Sequence, residues 1–259
     1  MTGDTVQPRS RMFHVGGRPM RTWNCHVGCF FECTYCNARR LATTRLKHSP
    51  RYKDGFSPHM VREEFGRRFK PGDFVFVGYM GDICFASRPI IIDICRIIQE
   101  QSAVNFLFCS KNPSIYGHWN LHWPENIYLG STIETNRDYK LTRAPAPMYR
   151  YMAMRAIDYA KKFLSIEPIC DFDLDLMLSW IVEINPDIIE VGADNYHKGL
   201  PEPPWDKVEK LLTHLKANFP TVVEKVGLEN LCNRKSVTQK NNHQVANAMF
   251  YDPVIGGWH

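Results

Sequence analysis

The sequence predicts an α/β fold, a partial (open) parallel β/α barrel of about six strand–helix units with a cysteine-rich loop after its first strand. Three observations predict it. Short runs rich in β-branched and aromatic residues alternate with longer stretches of helical periodicity. The short runs are nearly continuously apolar, as strands buried on both faces are. Six or seven such units can be counted, short of the eight that close a full barrel.

The elements follow in order. A first strand is expected near residues 20–24, ahead of the cysteine loop. Further strands are expected at 73–79 (DFVFVGY), 105–109 (NFLFC), 127–133 (IYLGSTI), 162–166 (KFLSI) and 188–192 (IIEVG), with 221–226 as another candidate. Between them, 89–101 is a strongly apolar helical stretch. Residues 172–184 place Leu174, Met177, Leu178, Ile181 and Val182 on one helical face, with Asp171 or Asp173 available as a cap. Residues 205–215 repeat that pattern through Val208, Leu211, Leu212 and Leu215 after a Pro203-Pro204 start. Repeated strand–helix units imply parallel strands joined by right-handed crossovers. Residues 1–18 and 46–58 read as irregular arms and the chain from Asn233 as a polar, then aromatic, tail. No linker divides the sequence, so a single domain over 1–259 is expected, with its core at about 20–230.

Composition narrows the function classes. The 259 residues are 44% hydrophobic and 23% charged, which is globular. No run of about 18 apolar residues indicates a membrane span, and the polar first ten residues lack a secretory h-region. A soluble, cytoplasmic protein is expected, with no membrane partner. The net charge of +5 is unevenly spread. Residues 1–70 hold 14 Lys and Arg against 5 Asp and Glu, whereas the remainder holds 18 against 22. A basic N-terminal third suits a polyanionic partner such as nucleic acid, or it compensates an anionic site nearby.

The nine cysteines are not spaced as a disulfide framework. Cys84, Cys95, Cys109, Cys170 and Cys232 are scattered, mostly in apolar segments, and read as buried free thiols. Cys25, Cys29, Cys33 and Cys36 instead fall within twelve residues. In a reducing compartment such clustering points to a metal. Three readings of C-x3-C-x2-C stand side by side. The thiols can form a buried stripe on a helix, which Gly28 and Thr34 make a poor one. They can bind structural zinc, with Cys25 or His26 completing four ligands, although no second knuckle follows. Or three thiolates can hold an iron–sulfur cubane and leave one iron open to a cationic chelating ligand.

The motif, with Tyr35 before its last cysteine, after a strand and opening a helix, resembles the radical S-adenosylmethionine (SAM) superfamily. The run TWN…GC…CTYCNARRLA, then FVFVGYMGDICF, SKNP, STIETN and LSIEP, looks most like an uncharacterised phage and prokaryotic radical SAM family, over roughly residues 20–215. It is more distantly similar to the spore photoproduct lyase branch, whose substrate is DNA. The resemblance implies a 4Fe-4S cluster held by Cys29, Cys33 and Cys36. It implies SAM at the open iron, reductive cleavage to a 5′-deoxyadenosyl radical, and a flavodoxin- or ferredoxin-like electron donor. Val77-Gly78-Tyr79-Met80-Gly81-Asp82 occupies the place of the family's Gly-Gly-Glu-like element, which binds the methionine amino group. It departs from that pattern, and Asp82 offers the acceptor while Gly78 and Gly81 allow close approach. Tyr35 in the cysteine loop, with Ser110, Lys111, Ser131, Glu134 and Glu167 at strand ends, completes the expected SAM contacts. Ser131 or Glu134 would meet the ribose hydroxyls, and Lys111 a carboxylate or phosphate. Asp194 and Asn195 share the same rim. Cys25 is expected to be a bystander, and no second cysteine cluster suggests an auxiliary centre. The substrate is open, with a nucleotide or nucleic acid favoured by charge. The alternative is a non-catalytic zinc- or cluster-bearing nucleic-acid-binding protein.

Overall fold

The central strands of the sheet are buried on both faces, and that fixes the architecture. In the computed structural model, which describes residues 20–232 and four short terminal strand segments, seven parallel strands form a curled half-barrel with helices on its outside. The elements are β1 (Arg21–Trp23), β2 (His26–Val27), α1 (Asn37–Thr43), β3 (His59–Met60), β4 (Phe74–Val77), α2 (Arg88–Gln99), β5 (Asn105–Ser110) and α3 (Ser114–Trp119). They continue with β6 (Ile127–Thr132), α4 (Pro147–Ala156), β7 (Lys162–Ile166), α5 (Leu174–Ile184), β8 (Ile188–Val191), α6 (Trp205–Asn218) and β9 (Thr221–Glu224). The sheet order is β9-β8-β7-β6-β5-β4-β1, while β2 and β3 form a separate antiparallel pair. The expected open barrel is the observed one. The expected arm at 1–18 and the tail from 233 lie outside the described residues, apart from the terminal strand segments.

Alternation along the strands divides the core in two. Outward residues such as Val75, Phe106, Phe108, Leu164, Ile189 and Val191 pack with Ile91, Ile94 and Ile98 of α2 and Val208 and Leu211 of α6. Inward residues Phe74, Leu107, Phe163 and Ile188 fill the barrel's lower interior. Register then turns that interior polar. Gly130, Phe163 and Ile188 lie side by side in one row, and Thr132, Ser165 and Glu190 in the next toward the C-terminal strand ends. The half-barrel is therefore apolar below and polar above, at the strand ends where parallel sheets present their ligand sites.

Some local expectations shift. The strand expected at 73–79 ends at Val77, because Gly78 turns the chain with a φ of +72°. Asp173 does stand at the N-cap of α5 but makes no side-chain cap. Its carboxylate is taken by Arg137, and Asp171 is shared between Arg137 and Lys207. Helix α4 carries weak periodicity, with Met148, Tyr149 and Met152 exposed, which is why its pattern was not legible. Among the described residues no helix is long and apolar enough to cross a membrane.

Phe106 is wholly buried, edge-on to both Trp23 and Phe69. Phe106→Ala is expected to cost roughly 3–5 kcal/mol through lost burial and the cavity left behind. Urea denaturation monitored by tryptophan fluorescence measures it.

Candidate active site

The three cysteines stand on the loop between β2 and α1, and backbone hydrogen bonds fasten that loop on both flanks. On one side the Gly28 N–H donates to Met80 O at 3.0 Å, Cys29 N–H to Phe56 O at 3.0 Å, and Asp82 N–H to Gly28 O at 3.2 Å. On the other, Thr34 N–H donates to Leu141 O at 2.9 Å and Arg143 N–H to Phe31 O at 2.7 Å. Gly28 and Gly81 form an isolated parallel bridge, and a Cβ on Gly81 would lie 2.5 Å from Gly28 O. Gly81 is therefore needed for chain-to-chain approach, which locks the cysteine loop to the end of β4.

Each of the three sulfurs has a hydrogen-bond partner. Phe31 N–H donates to Cys29 Sγ at 3.4 Å, and Arg39 N–H to Cys36 Sγ at 3.3 Å, where Cys36 caps α1. The Cys33 thiol donates to Thr142 Oγ1 at 3.1 Å. Burial pushes the Cys29 and Cys36 thiols up. Without a positive partner they stay protonated, and a metal supplies that partner. The Arg39 Nε is buried without a hydrogen-bond partner beside this loop. N–H donors on sulfur are the contacts that tune cluster-ligating thiolates, so the loop fits a cubane. Among the described residues no three His, Cys, Asp or Glu side chains are grouped to hold a metal ion. A mononuclear site needs ligands converging on one point, whereas a cubane takes its thiolates at separate corners. Cys25 packs in the outer core and His26 is buried at 2% exposure, with its pKa lowered to about 4 by burial and by His59.

A cavity of about 340 Å³ opens at the C-terminal strand ends, lined by Tyr35 and Asn37, the two residues flanking Cys36. Of the expected contacts, Tyr35, Gly81, Asp82, Lys111 and Glu167 line it, as do Asp194 and Asn195. Gly78, Ser110, Ser131 and Glu134 are not among its lining residues. Ser110 donates to Asp82 Oδ1 at 2.6 Å, and Ser131 donates to Ser110 O at 2.8 Å. They hold Asp82 from behind. Asp82 also accepts from Lys111 N–H at 2.9 Å and Cys84 N–H at 3.1 Å, which leaves about one of a carboxylate's four acceptor positions for a ligand.

Glu134 is the buried joint of the site. It pairs with Lys111, accepts from Tyr35 Oη, and meets Arg150 Nη1 at 2.6 Å, with Arg150 itself 1% exposed. Burial would raise its pKa, but the Lys111 and Arg150 charges outweigh that and hold it at about 2. Sequence reasoning missed Lys225, Glu190, Ser165 and Thr132 in the cavity wall. A charge interrupting the IIEV strand and a lysine directly after TVVE were the available signals.

The fold and this loop define a parallel half-barrel protein carrying three cysteines at its C-terminal rim. The chain belongs to the DUF5131 family, described as a protein of unknown function, whose profile matches residues 19–193. No curated protein matches the sequence. Among solved structures it is similar to a spore photoproduct lyase variant with dinucleoside spore photoproduct, at 10% identity and a TM-score of 0.55, covering 78% of this chain and 75% of that one. A double variant of the lyase with bound AdoMet and the same dinucleoside matches at 10% identity and 0.55, covering 79% and 75%. At this identity the likeness is one of fold.

Glu134→Gln is expected to cost about 3–5 kcal/mol at neutral pH, because it strips a buried arginine of its counter-charge. A folded-state pKa below the ordinary carboxylate value of about 4.3 stabilises above that value and is lost as pH falls. The gap between the native chain and the variant should therefore narrow from pH 4.5 toward about 2, as read by denaturant unfolding across pH.

Proposed function

We propose that this protein is a radical SAM enzyme, with a 4Fe-4S cluster held by Cys29, Cys33 and Cys36 and SAM bound in the adjoining cavity. The observation that carries this reading is the fastening of a C-x3-C-x2-C loop to the polar rim of a parallel half-barrel. Tyr35, Asn37 and Gly81 belong to both loop surroundings and cavity wall. The chemistry such a cluster supplies when bound and reduced is one-electron cleavage of SAM to methionine and a 5′-deoxyadenosyl radical. The fold shared with spore photoproduct lyase, one variant of which is described with AdoMet bound, supports it.

In this reading the chain's own residues bind and orient. Asp82 uses its remaining acceptor position for the SAM ammonium, with Ser110 and Ser131 holding its carboxylate in place. Lys111, fixed by Glu134 and lying 5.2 Å from the centroid of the Tyr35 ring, faces the SAM carboxylate. Tyr35 and Tyr79 shield the chamber from water. The reductant is an external flavodoxin- or ferredoxin-like donor, and a nucleotide or nucleic acid is the substrate class that the basic N-terminal third favours.

Anaerobic reconstitution should load about four irons per chain. Dithionite and SAM should then release 5′-deoxyadenosine, measured by chromatography. Cys33→Ala should abolish iron binding. Asp82→Asn should keep the cluster while weakening SAM binding roughly tenfold or more, the scale of one charged hydrogen bond. A fully loaded protein that yields no nucleoside, or one purified with a single zinc, overturns the reading.

A further inference from the structure

Glu190 is the only charged side chain of β8, and its one ion partner among the described residues is Lys225. It sits inside β8, 5% exposed, in the row that Thr132, Ser165 and Val223 occupy on neighbouring strands. Ser165 Oγ donates to its Oε1 at 2.6 Å, while its Oε2 is buried with no hydrogen-bond partner. A buried carboxyl oxygen without a hydrogen bond is costly, and a small neutral side chain would fill that row without the cost. Lys225 Nζ stands 3.6 Å from this oxygen but donates to Glu167, and an ammonium has three protons to give. An acceptor thus stands beside a donor at the inner wall of the cavity.

We propose that this inner wall, Glu190 with Lys225 and Ser165, receives the hydrogen-bonding edge of a nucleobase. The inference rests on the reading of the cavity as the reaction chamber. A base presents an N–H beside a carbonyl or ring-nitrogen acceptor, the complement of Glu190 beside Lys225. Phe76 and Tyr79, edge-to-face at 5.5 Å, line the same cavity and give the ring a flat apolar surface. Charge sets the orientation. Asp82, Glu167, Glu190 and Asp194 line the cavity against Lys111 and Lys225, so a phosphate is kept out of the depth. At the mouth, exposed Arg40 lies 5.7 Å from the centroid of the Tyr196 ring, and Asn37 donates to Tyr196 Oη at 3.0 Å. The phosphate of a nucleotide belongs there.

The test is equilibrium binding of guanosine, cytidine, uridine and thymidine monophosphates to the full chain with SAM at saturation, so that adenosine sites are filled. At least one should bind, and its edge-methylated analogue (1-methylguanosine or 3-methylthymidine type) should bind at least tenfold more weakly. Glu190→Gln should weaken the same nucleotide at least tenfold. The methylated analogues act on the unaltered chain, so a variant that misfolds does not decide the matter. A mixed single-stranded oligonucleotide binding more tightly than any mononucleotide assigns the base to a strand, and the reverse assigns a free nucleotide. No binding by any of them, or binding insensitive to edge methylation, overturns the proposal. If 5′-deoxyadenosine still forms in that case, the enzyme reading stands without it.

Discussion

One buried carboxylate ties the site to the fold. Glu134, just beyond β6, joins Lys111 beyond β5, Arg150 on α4 and Tyr35 in the cysteine loop. Each of these partners comes from a different part of the chain. The group is ionised because two cations face it, and it stays placed because the arginine is as deeply buried as it is. The position of the loop relative to the sheet is thereby set electrostatically, not only by packing.

Around that joint, the sheet divides labour by face. Outward side chains build the larger core with the helices, and inward side chains change from apolar to polar along the strand direction. The strands with Phe74, Leu107 and Phe163 inside therefore lead to Asp82, Lys111 and Glu167 around a cavity. Charged groups are tolerated there because they meet one another: Lys225 pairs with Glu167, and Lys111 with Glu134. The serines beneath Asp82 play the same part for the loop after β4, spending their hydroxyls on the carboxylate and on the strand backbone.

The thiol loop shows how little of its geometry is its own. Its one regular continuation is the two-turn helix α1, which Cys36 caps. What holds it are carbonyls at Phe56, Met80 and Leu141, all distant in sequence. Such a loop sets Tyr35 and Asn37, on either side of Cys36, into the cavity wall while its three thiols stay half-buried.

The sequence by itself determined the architecture and the cysteine motif. Continuous apolar runs such as FVFV and NFLFC have no solution other than burial on both faces, so the parallel half-barrel was legible in them. The clustered thiols were legible because spacing alone sets them apart from Cys95 or Cys170. Tertiary structure decided which rim residues face the cavity and which stand behind it. Ser110, Ser131 and Glu134 look like rim residues in a strand-end count, yet their polar atoms are engaged with other parts of the chain. Glu190 and Lys225 both read as positions in strands, yet they meet between neighbouring strands in the cavity wall. The physical reason is that burial and pairing of polar groups depend on register between strands and on crossover helices, and one chain's local order does not encode either.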